Sequence, residues 1–126
     1  RANPLVAQAV VIGDQRPFVS ALISLDPEML PIWLSNNGLD KGLSLSQAAK
    51  EPKVLAEIQT AVDRVNKNFS KAESIRKFTV IGQELSEESG HLTPSLKIKR
   101  EVVLRDFGPA VEEIYQAGPA TGEIIS

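Results

Sequence analysis

Hydrophobic residues at the start of the chain fall into two short, nearly continuous runs. Residues 5–12 read LVAQAVVI and residues 17–25 read PFVSALISL, and both are rich in strand-forming side chains. Only the four residues GDQR separate them, so the pattern predicts an antiparallel hairpin. Because neither run alternates strictly with polar residues, we expect helices to cover at least one face of the sheet.

A short helix is predicted directly after the second run. Asp26 can accept hydrogen bonds from the N–H groups of a first helical turn, and Pro27 has the backbone angle that such a turn needs. Apolar residues follow at helical spacing until residues 37–38 (Asn-Gly) supply a stop signal. Pro31 indicates that this helix is short, because proline in a helix interior removes a backbone hydrogen bond.

The strongest periodic pattern predicts a long helix over residues 52–69. Ahead of it, Ser44 and Gln47 have the spacing of a capping box and predict another short helix. Trp33 and Phe69 both lie on apolar stripes and are expected in the core. The stripe of the long helix follows the 3.6-residue period and comprises Val54, Leu55, Ile58, Ala61, Val62, Val65 and Phe69.

The remaining pattern contains one strand, one loop and one interrupted helix. Residues 75–81 (IRKFTVI) read as a third strand, and the acidic residues 82–91 read as an exposed loop. A helical pattern follows residues 92–100 and is interrupted at residues 108–109 (Gly-Pro). This order predicts an α+β domain with a small three-stranded antiparallel or mixed sheet packed with helices.

Composition fits one globular domain. The chain has 126 residues, of which 42% are hydrophobic and 24% charged. We expect the domain at residues 1–117 and a flexible tail at 118–126. Since the chain starts at Arg1 within what reads as a running element, we interpret it as a fragment of a longer polypeptide.

The charge balance and hydropathy limit the partners. The 14 basic and 16 acidic residues give a net charge of −2, which argues against a nucleic-acid partner. No apolar run approaches the roughly 20 residues that cross a bilayer, and no signal segment opens the chain. The composition is compatible with the cytoplasm, and peripheral association with a membrane stays open.

Several classes of chemistry are excluded by residues that are missing or isolated. There is no cysteine, and the single histidine, His91, rules out a multi-histidine metal cluster within the chain. We interpret His91 as a surface residue of the acidic loop. Neither a glycine-rich phosphate loop nor a G-x-S-x-G elbow occurs. No metal site is predicted, because the acidic run of Glu84, Glu87 and Glu88 is expected to be solvated.

The remaining candidate chemistry lies in residues 92–100 (LTPSLKIKR). Taken alone, Lys97, Lys99 and Arg100 would be interpreted as a solvated basic patch. Pro94 changes this interpretation, because proline favours an extended backbone at itself and at the residue before it. A lysine presented after such a stiff loop could meet an anionic group in a partner domain. The loop would be anchored by its apolar side chains, Leu92, Leu96 and Ile98.

These residues resemble the motif P-K-T-x-S-G-K-I-x-R of the acyl-activating, adenylate-forming enzymes. PSLKIKR at residues 94–100 matches its end, with Lys97 on the invariant lysine and Arg100 on the closing arginine. Leu96 stands where many members have glycine, but L-T-P-[ST]-x-K-[ILV]-K-R is the form that long-chain fatty acyl-CoA synthetases characteristically use. NPLVAQAVVIGD, RPFVSALISLDPE and VDRVNKNFSKAESIRKF resemble the same family, so the resemblance covers nearly all of residues 1–116.

The resemblance implies the C-terminal lid domain of an ATP-dependent long-chain fatty acid–CoA ligase. Such an enzyme joins a fatty acid to ATP, with Mg²⁺, to give acyl-AMP, and then transfers the acyl group to coenzyme A. Lys97 would be the catalytic residue of the first step, and Lys99 would contribute weakly to CoA binding. The residues implied for positioning the substrate or the loop are Thr93, Pro94, Ser95 and Arg100.

The family's hinge, its R-x-K-[DE] stretch and its phosphate loop do not occur in this chain. The partner implied is therefore the enzyme's own N-terminal domain, which would bind ATP and Mg²⁺, and the isolated fragment is expected to be inactive.

Three other functions stay open. One is a non-catalytic α+β binding module whose 92–100 loop docks a protein or an anionic ligand. Another is the adenylation-domain lid of a peptide synthetase, although the long stretch from Asp26 to Ala72 fits the long-chain synthetases better. An RNA-binding domain is the third, and the acidic balance and the lack of aromatic residues beside the basic cluster argue against it.

Overall fold

The computed structural model describes residues 3–70 and 73–116, so the predicted tail at 118–126 lies outside the described residues. The sheet has the order β1-β2-β3, with β2 antiparallel to β1 and parallel to β3. The predicted hairpin and the predicted α+β fold with a mixed three-stranded sheet are confirmed. In chain order the elements are β1 (Val6–Ile12), β2 (Val19–Leu25), α1 (Met29–Asn36), α2 (Leu45–Ala48), α3 (Pro52–Asn66), β3 (Ile75–Ile81), α4 (Arg100–Asp106) and α5 (Gly108–Gln116).

Helices cover both faces of the sheet, which explains why the central strand β2 is apolar along nearly its whole length. Successive side chains of a strand point to opposite faces. On one face, Ala21, Ile23 and Leu25 of β2 pack with α1, α2 and α3 in a first core. On the other face, Leu22 packs with α4 and α5 in a second core. The buried residues of that second core are Val10, Ile12, Phe18, Leu22, Ile81, Leu85, Leu92, Val103, Val111 and Ile114.

The first two helices begin much as the sequence predicts. The carboxylate of Asp26 accepts hydrogen bonds from the N–H groups of Glu28 at 2.8 Å and Met29 at 3.2 Å. Asp26 thus caps the entering turn, and the regular helix α1 begins only at Met29. Ser44 and Gln47 make the reciprocal hydrogen bonds of a capping box, so that prediction is confirmed.

Helix α3 ends three residues before the predicted end. The side-chain amide of Asn66 donates to the carbonyl oxygen of Ile75 at 2.9 Å, and its oxygen accepts from the N–H of Ile75 at 2.9 Å. These two bonds fix the end of α3 to the start of β3, and the chain leaves the helix there. The prediction that Phe69 lies in the core is therefore wrong, because its side chain is 51% exposed. Trp33, by contrast, packs against the first core as predicted.

The acidic segment at residues 82–91 is only partly exposed. Glu84, Glu87 and Glu88 are exposed as predicted, but Leu85 is buried in the second core. Gly90 has a φ of 85°, a left-handed conformation that glycine adopts without strain. The segment thus turns back on itself and leads directly into the second core.

Within the described residues, none of the helices is long and apolar enough to cross a membrane.

Candidate functional site

The segment that carries the predicted lysine is a small hairpin, which we call the lysine loop (residues 92–98). Its two stems meet at an antiparallel bridge between Leu92 and Ile98. Above the bridge, the N–H of Thr93 donates to the carbonyl oxygen of Lys97 at 2.8 Å, and the N–H of Lys97 donates to Thr93 Oγ1 at 3.0 Å. The N–H of Leu96 closes a tight turn by donating to the Thr93 carbonyl oxygen at 2.8 Å. The backbone around Lys97 is therefore held by Thr93.

The side chain of Lys97 is exposed, while that of its neighbour Ile98 is half-buried and packs on the second core. The stem continues inward to Ile98, and the lysine next to it stays in solvent. Pro94 and Ser95 are the two central residues of the turn, so Pro94 stiffens a turn and not the extended segment that the sequence predicted. Ser95 Oγ lies 3.1 Å from Thr93 Oγ1.

Only two of the three predicted apolar anchors bury their side chains. Leu92 is 4% exposed and belongs to the second core, and Ile98 packs against that core. The prediction that Leu96 anchors the loop is wrong, because its side chain is 63% exposed. Its φ of 64° is left-handed, a conformation that costs a non-glycine residue about 1–2 kcal/mol.

The base of the lysine loop is tied to helix α4. The N–H of Lys99 donates to the carbonyl oxygen of His91 at 2.8 Å. The carbonyl oxygen of Lys99 in turn accepts from the N–H groups of Val102 and Val103, in the first turn of α4. The loop therefore runs into the helix without a flexible joint, and the exposed side chains of Lys99 and Arg100 lie at this junction.

His91 is buried beneath the loop, so its interpretation as a surface residue is wrong. Its ring is 4% exposed and lies 5.5 Å from the ring of Phe107. Nε2 lies 2.8 Å from Asp106 Oδ2, and Nδ1 lies 2.7 Å from Ser89 Oγ. Since a carboxylate only accepts, Nε2 carries a proton and donates to Asp106.

The environment of Asp106 favours its charged form. The hydrogen bond from His91, followed by one from Arg105, holds the pKa of the Asp106 carboxyl below its usual value. The hydrogen bond between His91 and Asp106 thus connects the residue that precedes the lysine loop to the last residue of α4. Sequence reasoning missed this pair because nothing local connects two residues that are 15 positions apart.

A cavity of about 290 Å³ lies beside the start of α4. It places Arg100 of the motif near Arg16 from the loop between β1 and β2. Arg16 is paired with Glu112 of α5 and lies over the ring of Tyr115, 4.7 Å from its centroid. The hydrogen bond from Arg16 lowers the pKa of the Glu112 carboxyl. The cavity is lined by Ile12, Asp14, Arg16, Arg100, Leu104, Gly108, Val111 and Glu112.

The described residues do not fit a metal ion. None of their His, Asp and Glu side chains form a group of three or more that could hold one. The Mg²⁺ that the resemblance implies therefore has no set of ligands among the described residues.

Comparison with known proteins agrees with the resemblance. A family model described as AMP-binding enzyme C-terminal domain matches residues 1–118. The chain is 45% identical to the long-chain-fatty-acid–CoA ligase FadD15 of Mycobacterium tuberculosis over 91% of this chain and 19% of that protein. It is 30% identical to the long-chain-fatty-acid–CoA ligase ACSBG2 of Xenopus laevis over 94% of this chain and 18% of that protein. The chain thus spans about a fifth of the length of these relatives.

Solved structures share the fold. The A domain of a carboxylic acid reductase from Segniliparus rugosus, in complex with AMP and a co-purified carboxylic acid, superposes with a TM-score of 0.66 at 23% identity. That alignment covers 90% of this chain and 16% of the reductase domain. The A-PCP didomain of the same enzyme gives a TM-score of 0.65 at 22% identity, over 90% of this chain and 14% of the didomain. With the family model matching nearly the whole chain, the protein belongs to the family of AMP-binding enzyme C-terminal domains.

Proposed function

We propose that this chain is the lid of a long-chain fatty acid–CoA ligase, and that it supplies Lys97 to the step that forms acyl-AMP. The observation that carries the proposal is the exposed lysine on a hydrogen-bonded turn, in a chain 45% identical to a ligase of that name. An exposed ammonium group on an ordered backbone can be delivered to an anion at little entropic cost, because only the side chain has to be fixed.

The reaction brings two anions together. An oxygen of the fatty acid carboxylate attacks the α-phosphorus of ATP, the bond from that phosphorus to the pyrophosphate oxygen breaks, and acyl-AMP and pyrophosphate result. The thiol of coenzyme A then attacks the acyl carbon, and AMP leaves. In the first step Lys97 would lie beside the carboxylate and the phosphate oxygens and reduce their repulsion.

Closure of the lid decides how much the lysine contributes. Two unit charges about 4 Å apart interact by about 1 kcal/mol in bulk water and by about 4 kcal/mol at an effective dielectric constant near 20. Lys97 is in solvent in the described chain. It would gain its effect only when a larger preceding domain encloses it, so the motion of the lid gates the chemistry.

The other residues of the motif have supporting roles in this proposal. Thr93, Pro94 and Ser95 form the turn that fixes the backbone of Lys97. Arg100 and Lys99, at the start of α4, would bind phosphate groups of coenzyme A or orient the loop. ATP and Mg²⁺ would be bound mainly by the preceding domain. A cytoplasmic location and a peripheral membrane association stay predictions.

The test separates the two half-reactions in the full-length polypeptide that carries this chain. Lys97→Ala should lower fatty-acid-dependent ATP–pyrophosphate exchange by about 100- to 1,000-fold or more, by analogy with a lost oxyanion donor. The same variant should largely keep its rate of thioester formation from supplied acyl-AMP. Lys41→Ala, which removes an exposed lysine outside the motif, is the matched control and should keep adenylation within a few-fold.

Undiminished exchange in Lys97→Ala would refute the proposal and leave the loop as a docking surface. In that case, binding of a protein or an anionic ligand by the 126-residue chain alone would favour the non-catalytic module. Adenylation of amino acids instead of fatty acids would favour the lid of a peptide synthetase.

A further inference from the structure

Leu96 combines two properties that are unfavourable in the described chain. Its backbone is left-handed, with a φ of 64°, and its side chain is 63% exposed at the tip of the lysine loop. A glycine would adopt this backbone without steric cost, and a polar side chain would be better solvated. Neither the turn nor the second core uses the leucine side chain, since the hydrogen bond that closes the turn comes from its backbone N–H.

Covalent geometry ties the fate of Leu96 to that of Lys97. Consecutive Cα atoms are about 3.8 Å apart. If Lys97 is enclosed in a partly dry pocket, the turn residue immediately before it must also reach that pocket or its rim. Moving an apolar side chain at such a position out of water lowers the free energy of the closed state, whereas the side chain contributes no such stabilisation while the lid is open.

We propose, as an extension that rests on the proposed function, that Leu96 is an apolar contact residue of the lysine loop. Its side chain packs on the rim of the adenylation pocket in the preceding domain when the lid closes. The relatives extend well beyond the fifth of their length that this chain spans, and that remainder supplies the surface. The contact favours the closed lid and so helps to hold the ammonium group of Lys97 in place. The backbone strain at Leu96 is offset only when this contact forms.

The chain offers a matched control for the strain. Gln15, in the loop between β1 and β2, is the other non-glycine residue with positive φ among the described residues, at 58°, and it is also exposed. Gln15→Gly and Leu96→Gly relieve the same kind of strain at two places. We expect neither substitution to lower the unfolding midpoint of the 126-residue chain.

Adenylation should separate the two variants. In the full-length polypeptide, Leu96→Gly should lower kcat/KM for fatty-acid-dependent ATP–pyrophosphate exchange by about 10- to 100-fold, from the area of a leucine side chain removed from water. Gln15→Gly should leave it unchanged. Leu96→Ala keeps Cβ and therefore the backbone strain but loses most of the apolar volume, so it should lose activity nearly as far as Leu96→Gly. Leu96→Met, which keeps an apolar side chain of similar volume, should restore most of it.

Three results would overturn the inference. Full activity of both Leu96→Gly and Leu96→Ala would show that no contact exists. Full activity of Leu96→Ala with loss in Leu96→Gly would assign the effect to backbone stiffness. A loss that grows with the chain length of the fatty acid would place the contact on the substrate and not on the preceding domain. Each of these is compatible with an inactive Lys97→Ala, so this inference can fail while the proposed function stands.

Discussion

The hydrogen bond between Thr93 and Lys97 gives the sharpest test of how the loop positions its lysine. Thr93 Oγ1 accepts from the N–H of Lys97 at 3.0 Å. Thr93→Val keeps the shape and the branching at Cβ and removes only the hydroxyl. The backbone hydrogen bonds between Thr93 and residues 96 and 97 are not touched by the change.

The size of the effect follows from the place of this bond. The loop is on the surface, so water can replace the lost acceptor, and the net value of such a hydrogen bond is about 0.5–1.5 kcal/mol. If the ordered turn is the form that delivers Lys97, its population and the adenylation rate fall together. The expected loss is therefore about 2- to 12-fold, well below the loss on removal of the ammonium group itself.

The assay is fatty-acid-dependent ATP–pyrophosphate exchange by the full-length polypeptide. Thr93→Ser keeps Oγ and should behave nearly as the unaltered polypeptide. Ser95→Ala removes only a neighbour of Thr93 Oγ1 and should cost less than Thr93→Val. An unchanged rate in Thr93→Val would refute the idea that this bond orders the loop. A loss above about 100-fold, the range of a lost transition-state donor, would instead assign the hydroxyl a direct part in the chemistry.

Two further predictions concern the fold that supports the loop. Ile58 is fully buried on α3 in the first core, so Ile58→Ala should lower the free energy of unfolding by about 2–5 kcal/mol. The exposed control Arg64→Ala should change it by less than about 0.5 kcal/mol. Equal effects of the two variants in denaturant titrations would contradict the placement of Ile58 in the core. The pKa of Asp106 is lowered in the folded state, so the charged Asp106 carboxylate stabilises the folded chain. This contribution is complete above the unfolded-state pKa of about 3.9 and is lost as the pH falls through the folded-state pKa. The destabilisation by Asp106→Asn should thus shrink below about pH 4 in thermal unfolding, and a difference that stays constant from pH 7 to pH 3 would contradict this assignment.

The regular elements were predictable because their signals are local. The stripe of α3, the hairpin of β1 and β2, and the capping box at Ser44 each depend on residues close in sequence. The motif at residues 92–100 predicted a lysine presented on a stiff loop, and the structure places Lys97 in solvent on an ordered turn. Its catalytic role stays a prediction.

Three of the errors involve contacts between residues that are apart in sequence or an unusual backbone angle. Phe69 continues the helical stripe by period, but the pair of hydrogen bonds between Asn66 and Ile75 ends the helix first. His91 looks like a loop residue until α4 brings Asp106 and Phe107 against it. Leu96 is separated from Leu92 and Ile98 by an even number of positions, so a regular strand would point all three side chains to one face. Only the left-handed backbone at Leu96 directs its side chain away from the other two.

The contacts at both stems of the lysine loop determine how a lid of this kind would move. Leu92 and Ile98 attach the lysine loop to the second core, while His91 and Lys99 tie its base to α4. A loop held at both stems has few independent motions, so the lysine would travel with α4, α5 and the sheet as one rigid body. Rotation of that body would then change the environment of Lys97 without changing its local geometry. Under the proposed function, the enclosure of the Lys97 ammonium group would thereby be coupled to the orientation of the whole domain. A substitution that loosens the His91 network should weaken that coupling, even though the network lies outside the lysine loop.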